Sequence, residues 1–316
     1  MSKTAKIWLI AAAGLVIIGA IIFVAAVAAN GGFITSLASG SEYTERYYKV
    51  EKAFDNISVN AGITDVEIKL SGDSKCTLVL YAPENSIDIT NKVEDGTLII
   101  SEADNRSWYE HIGLFNKTPK LTVCLPDKEY GSLLISSGSG DIDVSGALAF
   151  DGIDISGSSC DVACKATSKT STRIKLSTGD ITLDNGSSGD ISLSVSTGDI
   201  YVNGASCLSF TSDGTTGDIT LKNVIASRSL TVERSTGDVT LDGCDAKDLF
   251  IKTSTGDVTG TLLSEKVFTA ASSSGDISVP KSASGGSCEI STDTGDIMID
   301  IRSGAGTKPR STDDSV

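Results

Sequence analysis

The sequence predicts an all-β chain: a single-stranded, right-handed parallel β-helix (a β-solenoid) of 19–20-residue coils, preceded by one transmembrane α-helix. Three observations carry this. The phrase Ser/Thr-Gly-Asp-Ile/Val returns at a nearly fixed beat, with aspartates at Asp141, Asp161, Asp180, Asp199, Asp218, Asp238, Asp257, Asp276 and Asp296. Apolar residues flank each corner two apart, never at helical spacing. An uncharged apolar stretch, Ile7 to Ala29, stands before all of it.

The amino terminus comes first. Lys3 and Lys6 precede the apolar stretch, and the acids Glu42 and Glu45 follow it. As a helix its 23 residues span about 34 Å, enough to cross a bilayer and longer than a signal-peptide core. The flanking charges place the amino terminus in the cytoplasm and the rest of the chain outside. Residues 1–29 therefore read as a cytoplasmic stub and signal anchor, with Ala26-Val27-Ala28 as the alternative, a cleavage site. Residues 30–42, rich in Gly and Ser, read as a flexible stalk.

Residues 43–130 carry strands without a clean repeat: 57–59, 66–70, 77–81, 87–90, 98–100 and 121–125 alternate or run apolar. Asp65-Val66-Glu67-Ile68 is a worn copy of the Asp-Ile corner. This part is expected to form the first, irregular coils of the stack, since terminal repeats must be capped against edge pairing. An insertion at 101–118 interrupts it with Trp108, Tyr109, His111 and Phe115. Those rings either touch a partner, glycan or lipid headgroup, or fold over the solenoid as a plug. The plug is the plainer reading. The only histidine has no second ligand nearby, which argues against a metal site.

The order Phe54-Asp55-Asn56-Ile57-Ser58-Val59, then Asp65-Val66-Glu67-Ile68, then Leu121-Thr122-Val123-Cys124-Leu125-Pro126, then repeated Ser-Gly-Asp-Ile, resembles a large bacterial family. It is a domain of unknown function labelled "putative adhesin", and the resemblance covers roughly residues 45–301. It implies a membrane-tethered β-solenoid of the cell envelope and supplies no catalytic residues.

Residues 131–301 are the regular ladder. Positions +1 and +3 after each Asp are mostly apolar, as in Ile181 and Leu183, Ile200 and Val202, or Val239 and Leu241. Positions −8 and −6 repeat the habit, as in Ile153 and Ile155, or Leu230 and Val232. Side chains alternate faces along a strand, so each coil holds two short strands meeting at a Gly-Asp corner. Stacking buries the inward columns and makes a solenoid. Gly supplies the positive φ of a tight turn, and Asp bonds a nearby backbone N–H. That turn chemistry is preferred to the rival use of Asp180, Asp199, Asp218, Asp238, Asp257 and Asp276 as a Ca²⁺ ladder. Calcium-binding β-rolls use a nine-residue, glycine-richer repeat. Cys160 replaces the Gly once, so its corner is expected to turn differently.

Seven cysteines occur. Cys164 and Cys288 fall in inward columns, which favours burial as small hydrophobes over disulfides. The segment 302–316 reads as a disordered tail. Only 5% of residues are aromatic and the net charge is −15, which argues against a helix-packed core and against nucleic-acid binding. No phosphate-binding Gly-rich loop or Gly-x-Ser-x-Gly elbow occurs. The expectation is a non-enzymatic, monomeric surface rod without cofactors, held to the cell membrane by a single pass, contacting an envelope protein or glycan. Two alternatives stand beside it: a self-assembling scaffold of the bactofilin kind, and the sensor arm of an envelope-stress regulator.

Overall fold

The computed structural model describes residues 42–84, 86–106, 117–184 and 189–302, with helical residues 8, 12, 14–22, 24 and 25 near the amino terminus. Seven strands precede the regular ladder: β1 (Tyr43–Val50), β2 (Asn56–Ala61), β3 (Asp65–Leu70), β4 (Cys76–Pro83), β5 (Ile87–Glu94), β6 (Thr97–Asp104) and β7 (Lys120–Leu125). The ladder then runs β8 (Glu129–Ser137), β9 (Ile142–Val144), β10 (Ala149–Ser159), β11 (Val162–Cys164), β12 (Thr167–Thr178), β13 (Ile181–Asp184), β14 (Asp190–Thr197), β15 (Ile200–Asn203), β16 (Ser206–Thr216), β17 (Ile219–Lys222) and β18 (Ile225–Thr236). It ends with β19 (Val239–Lys252), β20 (Val258–Leu262), β21 (Lys266–Ser274), β22 (Ile277–Ser278), β23 (Gly286–Thr294) and β24 (Ile297–Ile301).

The chain is an all-β right-handed solenoid. Short strands stack in parallel as one sheet, β9, β11, β13, β15, β17 and the start of β19. Long strands stack as the other, β8, β10, β12, β14, β16, β18 and the end of β19. Register shifts near Phe150, Cys207 and Ala226 bend the long strands, as bulges do, and wrap them around the core.

The inward columns lie where the alternation places them. Ile181, Leu183, Val202, Ile219 and Leu221 are fully buried, as are Ile155, Leu230 and Val232. Each such side chain contributes about 1.5–3 kcal/mol of burial, and the columns join into one continuous core. Phe54, Tyr130 and Phe150 fill its wider early coils as a stack of rings.

Stacking in strict chain order fails at both ends. The first coil, β2 and β3, lies between β6/β7 on one side and β8/β9 on the other. The last coil, β23 and β24, lies between β19/β20 and the preceding coil β21/β22. The early region is also not made of coils alone. β4 runs antiparallel beside β7, β1 antiparallel beside β4, and β5 antiparallel beside β6, so three added strands close that end of the stack.

Among the described residues no helix is long and apolar enough to cross a membrane. The large apolar side chains described at 15–18, 21, 22 and 24 are exposed, and the remainder of the expected span falls outside the described residues. So do residues 107–116 of the expected insertion and the segment 303–316; residues 101–104, expected within that insertion, instead complete β6.

Candidate functional site

The corner aspartates come together as one column. Asp180 Oδ1 accepts the backbone N–H of Asp199 at 2.8 Å, Asp199 that of Asp218 at 2.8 Å, and Asp218 that of Asp238 at 2.8 Å. The pattern starts at Asp65, the worn copy, which accepts from Asp141 at 2.9 Å, and passes through Asp141 and Asp161. Beyond Asp238 it continues to Asp257 and then Asp296, before turning back to Asp276, because the last two coils are out of order. Each coil's carboxylate thus closes the corner of the next. Backbone bonds complete that corner: Gly198 N–H donates to Thr216 C=O at 3.0 Å and Ile200 N–H to Asp218 C=O at 2.9 Å.

Glycine is required there for two reasons. Gly198 has φ +144°, and a Cβ would lie 2.1 Å from the Gly179 carbonyl oxygen, so neither torsion nor space admits a side chain. At Cys160 the φ is not positive. Its sulfur occupies the space beside Gly157, where a Cβ would stand 2.2 Å away. Among the described residues no group of three or more His, Cys, Asp or Glu side chains is arranged to hold a metal.

Chemistry-bearing side chains outside the column gather at a shallow groove of about 380 Å³. Its walls carry Ser194, Asp213, Glu233 and Lys252 from four successive coils, and Arg234 at its floor. Ser194 Oγ donates to Asp213 Oδ2 at 2.8 Å, so this hydroxyl faces an acid rather than a base. Arg234 is 4% exposed and donates through Nη1 to Val195 C=O at 3.3 Å, while its Nε and Nη2 have no partner among the described residues. Burial pulls its guanidinium below the ordinary arginine value, opposed by Asp199, Asp213 and Asp218. Arg234 fits because Gly214, at the same position one coil earlier, leaves room: a Cβ there would meet the guanidinium at 2.0 Å. Arg234 is absent from the residues that the sequence pattern singles out. The signal was an arginine in an inward column, four residues before its corner aspartate, directly after a glycine at that place.

Cys164 and Cys288 are buried as expected, and all seven cysteines are free. Burial raises the thiols of Cys164 and Cys288 to about 12, and those of Cys160 and Cys207 to about 11. Trp108, Tyr109, His111 and Phe115 lie outside the described residues.

The solenoid is found in solved bacterial proteins. A structure from Parabacteroides distasonis ATCC 8503, described as a "putative lipid binding protein", is 16% identical, covers 81% of this chain and 97% of its own, and superposes with a TM-score of 0.53. Another from the same organism, a "putative adhesin", is 14% identical over 82% of this chain and 98% of its own, with a TM-score of 0.50. At such identities the likeness shows the fold alone. No curated protein matches the chain. The family model described as Toastrack DUF4097 matches residues 54–212 and again 188–316, nearly everything beyond the amino-terminal segment. The chain belongs to this family, a bacterial domain of unknown function.

Proposed function

We propose that this protein is a non-enzymatic envelope module, a stiff rod that binds an envelope protein or glycan through its flat outer faces. One observation carries the reading. The corner aspartates are engaged with the backbone of the neighbouring coil, so what remains for recognition is the outward hydroxyl and charged columns and the shallow groove between Ser194 and Lys252. Such a surface suits broad polar contact, and the groove is open to solvent where a small-substrate site is enclosed. The neighbours described as "putative adhesin" and "putative lipid binding protein" support an outward binding role. The uncharged stretch from Ile7 to Ala29 supports single-pass anchoring, with the amino terminus cytoplasmic and the rod outside.

The test is capture by the purified rod, residues 42–316, of membrane vesicles, cell-wall polymer and solubilised envelope proteins. Binding that falls when Asp213, Glu233 and Lys252 are replaced by Ala supports the reading. Absence of binding to all three preparations contradicts it.

End-to-end self-association is a second reading, favoured by one observation. The outermost coil shows Ile277 and Val267 at 45% exposure each, beside the free edges of β21 and β22. Pro280 and Lys281, two and three residues after β22 ends at Ser278, oppose it, since both blunt edge pairing. Sedimentation of the rod separates the two: a monomer at tens of micromolar removes self-assembly, and a filament supports it.

A further inference from the structure

A solenoid of coils stacked in chain order frays from its ends one coil at a time, because each terminal coil has one neighbour. This chain departs from that order at both ends. The coil 266–278 pairs only with the coil that follows it: β21 bonds β23, and β22 bonds β24. It makes no ladder with β19 or β20, the coil that precedes it in sequence. Those strands instead bond β23 and β24. The last coil is thus paired on both sides, and its neighbour's strands join the body of the rod only through it. Among the described residues, the one side-chain tie that bypasses it is the buried Lys266–Asp245 ion pair at 2.6 Å where β21 begins.

The corner bonds follow the same order. Asp296 N–H donates to Asp257 Oδ1 at 2.8 Å, and Asp276 N–H to Asp296 Oδ1 at 2.8 Å. Gly256 N–H donates to Thr294 C=O and Gly295 N–H to Ser274 C=O, each at 3.0 Å. The glycines are in contact in that order too: a Cβ on Gly295 would meet Gly256 O at 2.2 Å, and one on Gly275 would meet Gly295 O at 2.0 Å. Arg302, the last described residue, is tied back by its side chain to Asp242 and by its N–H to Leu262 C=O at 2.8 Å. The other end repeats the device, since β6 and β7 reach the ladder through β2 and β3.

We infer that the coil 286–301 is a latch that fuses the carboxy-terminal end of the rod into one cooperative unit. The slot it fills lies between two coils made before it, so this end closes only when the whole chain is present. Once closed, the outer coil has no strand ladder to the body without the latch and keeps only the Lys266–Asp245 pair at its start, while the latch can stand without the outer coil. The coupling is one-way.

Amide-resolved hydrogen exchange on the full chain reads this asymmetry. Gly295→Ala, which drives a methyl into the Gly256 carbonyl, is expected to speed exchange in the latch and in 266–278 together, on the order of tenfold or more. The coil 206–222 is expected to keep its rates. Gly275→Ala is expected to release 266–278 alone, leaving the body-facing latch amides Asp293, Thr294 and Asp296 within about twofold of wild type. If Gly295→Ala does not fold, Ile290→Val is the milder substitution with the same expected pattern. Unchanged protection of 266–278 when the latch is loosened would overturn the inference, as would equal release of both coils by Gly275→Ala.

Discussion

Glycine and aspartate at the corner have different physical duties, and each can be tested alone. Gly198→Ala meets both a positive φ and a carbonyl at 2.1 Å, and is expected to cost about 3 kcal/mol or more in urea unfolding. Gly72→Ala, with nothing within 4 Å, is expected to stay within about 0.5 kcal/mol. Asp199→Ala removes the acceptor for the Asp218 N–H, an expected loss of about 1 kcal/mol. Asp199→Asn keeps a carbonyl acceptor and removes one of a column of like charges, so it is expected to be neutral or slightly stabilising in the same assay. The glycine's turn role was legible because the phrase repeats, but the aspartate's partner was not. A local Asx-type turn was expected, and the carboxylate instead accepts the backbone N–H of the next coil's aspartate, 19 or 20 residues on. Arg234 was not legible, because its burial depends on the missing side chain of Gly214 one coil away. The cysteines add a pH dependence. Folded Cys164 and Cys288 hold their protons up to about 12 against an ordinary value of 9.0. Their stabilising share is therefore whole below pH 9 and is lost as pH rises from there toward 12. Urea midpoints at pH 8 and pH 10.5 are expected to fall less in a Cys164→Val, Cys288→Val double variant than in wild type.

At the scale of elements, the regular coils could be read from alternation because both faces of each strand have a constant environment. The early strands between Ile57 and Leu125 could also be found, but not their partners. Periodicity reports which face is buried and says nothing about which edge is bonded. The antiparallel pairings of β4 with β7 and of β5 with β6 were missed for that reason, and so was the exchanged order of the terminal coils; β1 was missed altogether. A small polar cluster ties β1 to β5. Tyr48 donates to Asp88 Oδ1 at 2.6 Å, and Arg46 stands 3.4 Å from the same oxygen. Burial, and then the bond to Asp88, raise the Tyr48 phenol to about 12. Tyr48→Phe removes this tie and is expected to cost about 1 kcal/mol. Limited proteolysis is expected to show faster cleavage within 43–50 and 84–97, with the ladder from β8 onward unchanged.

For the molecule as a whole, the account rests on the aspartate column being internal architecture. The same column read as a cation ladder would make the rod's stability a function of calcium along its full length. A ligand at a hundred times its Kd adds about 2.7 kcal/mol per site, so even a few filled sites would shift unfolding by many degrees. Thermal unfolding of residues 42–316 in EDTA and in millimolar calcium decides between the two, with Asp218→Asn measured beside wild type. With the column internal, midpoints within about 1 °C in the two buffers are expected for both proteins. A rise of several degrees in calcium that disappears in Asp218→Asn would contradict it.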